Sequence, residues 1–146
     1  MSEPESYNEG ILGKSPEDYC DWIKKEENWG GEIELHILSI YFGIEIFVVD
    51  ILTNNLYKYG HEKNFMERIF LLYDGIHYDS LVEAFNRTAN ESNDTTKFSV
   101  NDNGIVNDFK KLAADLNKKG KYLDLGGCEL QCLVCGRGMK GQKEAR

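Results

Sequence analysis

Two uninterrupted apolar runs, Phe47-Val48-Val49 and Ile69-Phe70-Leu71-Leu72, constrain this chain more than any other feature. Successive side chains of a strand point to opposite faces, so a strand with one face in water alternates apolar and polar residues. Runs without alternation suit strands covered on both faces. The chain must therefore build a sheet with layers on either side of it.

The flanking residues supply helices for those layers. Ser15-Pro16-Glu17-Asp18 reads as a helix start: a capping hydroxyl, a proline at the first helical position, and acids in the first turn. Tyr19, Trp22 and Ile23 then form an i, i+3, i+4 apolar face, and the helix is expected to end by Trp29-Gly30-Gly31. A second helix is expected over Glu32 to Phe42, closed by Gly43. Ile44 to Asp50 is β-branched and aromatic, hence a strand. Leu56 to Tyr59, Arg68 to Tyr73 and Tyr78 to Leu81 read as further strands, with turns at Asn54-Asn55 and Asp74-Gly75. Phe85 to Asn103 is rich in Asn, Ser and Thr and reads as a loop or linker. Ile105, Phe109, Leu112, Ala113 and Leu116 make a last helical stripe. The class is α/β (α+β), a mixed sheet flanked by helices. About three helices are few to cover such strands, so one face of the sheet is expected to lack cover.

Charge and cysteines narrow the partners. The chain carries 17 basic and 25 acidic residues among 146, a net charge of −8. It would repel a phosphate backbone, so nucleic acid is excluded as the expected partner and a basic protein surface is favoured. No apolar run approaches the length of a membrane span, and the first residues have neither the basic nor the apolar region of a secretory signal. A cytoplasmic protein with no membrane partner is expected. Three of the four cysteines, Cys128, Cys132 and Cys135, cluster near the C-terminus, which in a reducing compartment favours metal over a disulfide. Cys132-Leu133-Val134-Cys135 is a C-x-x-C knuckle, half of a tetrahedral zinc site. A two-Cys, two-His finger would place its histidines about 12 residues further on, where the sequence stops. Cys20, among Glu17, Asp18 and Asp21, is in surroundings that disfavour a thiolate and reads as a packing cysteine.

One segment carries chemistry. Tyr73-Asp74-Gly75-Ile76-His77-Tyr78-Asp79 follows the second apolar run. On extended chain His77 and Asp79 share a face, so the carboxylate can fix the imidazole tautomer. A base with its orienter is half of a nucleophilic hydrolase site. The bland alternative is a structural histidine. His36, mid-helix, and His61, in a loop, read as structural or solvated.

Three blocks, Trp29-Gly30-Gly31-Glu32-Ile33-Glu34-Leu35, Ile44 to Asp50, and Tyr73 to Asp79, closely resemble the OTU (ovarian-tumour) deubiquitinases. The C-x-x-C at Cys132 and Cys135, with Gly138 and Lys140-Gly141-Gln142 after it, resembles the subgroup with a UBX-like N-terminal domain and a C-terminal two-Cys, two-His zinc finger. The resemblance implies a papain-like cysteine-protease OTU fold and a thiol-dependent isopeptidase acting on ubiquitin and polyubiquitin in protein quality control. It implies His77 as general base and Asp79 as its orienter. Gly75 and Ile76 would line the channel for the ubiquitin tail, and Trp29 would lie beside the ubiquitin surface. Cys132 and Cys135 would hold structural zinc, and an AAA ATPase would dock through a domain this sequence does not contain. The implied organisation is 1–84 as the C-terminal part of the catalytic domain, 85–125 as linker and helix, and 126–146 as a shortened finger.

The sequence departs from the family pattern in having no Asp-x-x-Cys nucleophile motif and no finger histidines. The expectation is an incomplete OTU fold that is inactive as given. Alternatives are a catalytically dead relative that still binds ubiquitin, and an unrelated interaction module using its terminal cysteines for metal.

Overall fold

The computed structural model describes residues 7–84, 86, 90–124, 126–131 and 135–140. They form two compact units, divided between Gly43 and Ile44.

The first unit is helical: α1 (Glu9–Leu12), α2 (Pro16–Ile23) and α3 (Glu32–Phe42). Asn8 caps α1 and Ser15 caps α2, the latter by accepting from Asp18 N at 3.1 Å. The α2 helix ends several residues before Trp29. Lys24-Lys25-Glu26-Glu27 offers no apolar group to bury, and the Asn28 amide captures the Trp22 carbonyl at 2.7 Å. The Glu34 carboxylate starts α3 by accepting the Gly31 N–H at 2.6 Å, and its other oxygen accepts the buried Tyr19 hydroxyl. Burial pushes the Tyr19 phenol up to about 12, helped by the Glu34 hydrogen bond and charge. Gly43, left-handed at φ 63°, ends α3.

The second unit holds the sheet. Strands β1 (Glu45–Asp50), β2 (Leu56–Tyr59), β3 (Glu67–Tyr73) and β4 (Tyr78–Leu81) lie in the order β2-β1-β3-β4. β1 and β3 are parallel, with Phe47 opposite Phe70 and Asp50 opposite Tyr73; the β1–β2 and β3–β4 pairs are antiparallel. The stretch read as loop contributes β5 (Phe98–Ser99), paired with the start of β3. Its local composition is polar, but Phe98 finds a place in the core and that burial overrides the composition.

All six β1 residues are buried, as the unbroken apolar run requires. On one face Phe47, Val49, Phe70, Leu81 and Phe98 pack against Phe109 and Ala113 of α4 (Asn103–Lys118). Phe70 is fully buried, and its ring meets those of Phe47, Phe98 and Phe109 at centroid distances of 5.8, 5.6 and 4.9 Å. The expected bare sheet face is therefore not found at β1. The largest exposed aromatics are Tyr41 and Phe42 on α3 and Trp29 just before it. Leu112, placed in the α4 stripe from its spacing, is substantially exposed.

Two polar ties fix the ends of this layer. At the start of the parallel pair the buried Arg68 donates Nε to Glu45 Oε2 at 2.8 Å and a terminal nitrogen to the Val100 carbonyl at 3.1 Å. Its guanidinium lies 3.8 Å over the Phe47 ring. At the other end Asn117 of α4 donates to the Ile51 carbonyl at 2.8 Å, and Ile51 N donates to Tyr73 O at 3.0 Å. The carboxyl ends of both parallel strands are thus held together, which is where open α/β sheets place their sites.

β6 (Glu129–Gln131) pairs antiparallel with β7 (Gly138–Lys140) in a two-stranded sheet of its own. Among the described residues no helix is long and apolar enough to cross a membrane.

Two outcomes are expected. Glu45→Ala strands a buried guanidinium and should cost about 3–5 kcal/mol, whereas Glu45→Leu with Arg68→Met should be near neutral. Denaturant titration of the three chains checks this, and a small loss in Glu45→Ala would sink it. The raised Tyr19 phenol contributes stability that is complete below its ordinary value of 10.0 and lost as pH rises through about 12. Thermal melts across that range should fall in the parent chain and fall less in Tyr19→Phe.

Candidate functional site

The Arg68–Tyr73 run delivers the chain to the carboxyl end of the sheet, where it must reverse. Asp74 organises the reversal. Its Oδ1 accepts from Ile76 N at 2.9 Å and His77 N at 2.8 Å, and its own N–H donates to the His77 carbonyl at 3.2 Å. The two backbone donors, His77 first, hold the Asp74 carboxyl below its ordinary value. The Tyr73 hydroxyl donates to the Gly75 carbonyl at 2.6 Å, and the Tyr73 and Tyr78 rings stack at 4.6 Å across the hairpin. Burial, then the charges of Asp50 and Asp74, raise the Tyr73 phenol above its ordinary value.

Gly75 is required here. Its φ is 112°, a region L side chains rarely adopt, and a Cβ would meet the Leu123 carbonyl oxygen at 2.1 Å. Leu123 N also donates to the Asp74 carbonyl at 2.6 Å. The segment following α4 therefore closes over the turn through the Leu123 main chain.

From this turn His77 enters β4. Its Nδ1 lies 3.4 Å from Asp79 Oδ1, a charge-pairing distance slightly longer than a good hydrogen bond. Catalytic contacts commonly have that looseness without substrate. Both side chains are more than half exposed, at 58% and 66%. With Nδ1 directed to the carboxylate, Nε2 is the nitrogen on the far side of the ring, available to a reacting group. The i, i+2 spacing read from sequence thus brings His77 and Asp79 together, with Gly75 and the part-exposed Ile76 in the same turn.

Other sequence-marked residues belong to other elements. Trp29 is 64% exposed and belongs to the helical unit. Cys20 is partly buried in α2. His61 pairs with the neighbouring Glu62, and the His36 ring meets Tyr7 edge-on. Cys135 is exposed between β6 and β7, while Cys132 lies outside the described residues. Among the described residues no cluster of three or more metal donors occurs, so they do not by themselves make a zinc site. The turn at Asp74-Gly75 is legible in the sequence, whereas the anchoring carboxylate and the Leu123 clamp emerge only in the structure. The Asp-Gly pair was a signal for the first; nothing local signalled the second.

No family model matches the chain. Among curated proteins it is 45% identical over 144 residues to "Ubiquitin thioesterase OTU1" of Dictyostelium discoideum, covering 99% of this chain and 44% of that protein. It is 40% identical over 145 residues to the Homo sapiens protein of the same name, covering 99% of this chain and 41% of that one. The chain thus spans less than half the length of these relatives. Among solved structures, an ovarian tumor (OTU) domain in complex with ubiquitin superposes with a TM-score of 0.70 at 34% identity, covering 83% of this chain and 67% of that chain.

The anchored turn yields an expected outcome. Asp74→Ala removes a cap-like acceptor and should cost about 1 kcal/mol of local stability. Because its folded value is depressed, the carboxylate's contribution is complete above the ordinary value of 3.8 and fades as pH falls below it. Hydrogen-exchange protection of the Ile76 and His77 amides should follow that course and be absent at all pH in Asp74→Ala. Equal protection in both chains at neutral pH would refute the anchor.

Proposed function

The chain belongs to the OTU family, and from that premise we propose that it carries the general-base half of a thiol-dependent deubiquitinase. The observation that supports this most directly is the His77–Asp79 pair at 3.4 Å, raised on a turn at the carboxyl end of the parallel strands. In this reading His77 Nε2 takes the proton from a cysteine thiol. The thiolate attacks the carbonyl carbon that joins the ubiquitin C-terminus to a lysine amine. His77 returns the proton to the departing amine as the C–N bond breaks, and then activates the water that hydrolyses the thioester. Asp79 holds the tautomer and balances the imidazolium. Gly75 and Ile76 bound the path of the ubiquitin tail, and Trp29 contributes an exposed aromatic contact to ubiquitin.

The nucleophile of the family stands in an Asp-x-x-Cys motif, and no cysteine of this sequence does. Cys20 follows Tyr19 inside α2, beyond the helix's first turn, and not in that motif. The 146-residue chain is therefore proposed to bind ubiquitin without cleaving it. In the same proposal the active assembly takes polyubiquitin as substrate, works in protein quality control in the cytoplasm, and reaches an AAA ATPase through a UBX-like domain. A structural zinc on Cys132 and Cys135 would need two further ligands.

Ubiquitin titration followed by calorimetry, with release of a fluorophore from a ubiquitin C-terminal conjugate, tests the reading. Saturable binding without release is expected, weakened about tenfold by Trp29→Ala or Ile76→Asp. Absence of binding at millimolar ubiquitin would sink it. Release that vanishes in Cys20→Ala would instead make Cys20 the nucleophile.

A further inference from the structure

The backbone at Leu123 occupies a position that the reaction alone does not explain. Its N–H donates to the Asp74 carbonyl at 2.6 Å, and its carbonyl oxygen fills the space a Cβ on Gly75 would need. Both contacts are made by main-chain atoms, and Leu123 as a residue is 50% exposed. The segment is secured on both sides. Upstream, Lys121 N returns to the Leu116 carbonyl at 3.0 Å beyond the left-handed Gly120, tying the exit of α4. Downstream, the Asp124 carboxylate accepts from Gly126 N and Gly127 N at 3.0 and 3.2 Å. α4 is itself anchored in the core by Phe109 and Ala113. A chain of short, directional contacts therefore runs from the buried aromatic cluster through Leu123 to the turn that carries His77.

We propose that Leu123 is a positioning residue for His77, its main chain closing over Asp74 and Gly75 so that the imidazole leaves the hairpin with Nδ1 toward Asp79. The proposal rests on the reading of His77 as the general base. Without the clamp the turn keeps its Asp74 carboxylate and its Tyr73 hydroxyl bond but loses the outer contact that holds Asp74 and Gly75 toward the α4 exit. The imidazole then samples directions in which Asp79 no longer selects the tautomer.

The tautomer is the readout, because a purely structural tie would leave it unmoved. Long-range proton–nitrogen NMR spectra of the neutral His77 ring distinguish Nδ1–H from Nε2–H. In the parent chain the Nδ1–H form should predominate, since Asp79 accepts from that nitrogen. Leu123→Pro deletes the donor and should shift the ratio to that of an unconstrained histidine. Leu123→Ala keeps the N–H and should retain the parent ratio. If Leu123→Pro does not fold, Gly75→Ala, which drives the Leu123 carbonyl away, is read the same way. A parent-like ratio in a folded Leu123→Pro or Gly75→Ala chain would overturn the proposal. A parent chain that fails to bind ubiquitin while its tautomer ratio still responds would remove the functional reading and leave the positioning intact.

Discussion

Everything in the second unit depends on burying the parallel pairing of β1 with β3. A parallel ladder has its side chains on two covered faces, and its strands are joined through a crossover, not a tight turn. Here the crossover runs through β2, which pairs on the outer side of β1. Phe70 stands at the centre, opposite Phe47 and under Phe109, with no accessible surface. Deleting such a ring from a packed core typically costs about 3–5 kcal/mol, a large part of a small domain's stability. The polar Arg68–Glu45 tie lies on the same face, and its burial makes it unforgiving of single changes.

That pairing also explains why His77 and Asp79 stand where they do. β3 can carry a hairpin at its carboxyl end only because its own register is held by β1, through Asp50 opposite Tyr73 and the Ile51–Tyr73 bond. The turn then needs no packing of its own. It is held by directional bonds: the Asp74 carboxylate from within, the Tyr73 hydroxyl from the strand, and the Leu123 main chain from outside. The His77–Asp79 pair that this turn carries is more than half exposed and open to solvent.

The legible parts of the fold were those governed by local chemistry. The helix over Glu32–Phe42 and the strands Leu56–Tyr59 and Tyr78–Leu81 lie where their residues place them, since each is bounded by Gly or a turn pair. Where local signals were silent or misleading, the reading departed from the structure. The α2 helix stops at Ile23 although no breaker stands there, because the following charged residues have nothing to bury. Phe98 forms a strand inside polar sequence because a distant aromatic cluster accepts it.

By itself the sequence determined that buried strands must form, that His77 and Asp79 would share a face, and that the chain resembles OTU deubiquitinases. Those are consequences of period and residue identity, which act over a few positions. Only the tertiary structure decided what covers β1, that Phe98 belongs to the core, and that Leu123 closes over Gly75. Those contacts join residues far apart in the chain. Their energy comes from burial and from hydrogen bonds between main-chain groups, which every residue carries and no local pattern can reveal.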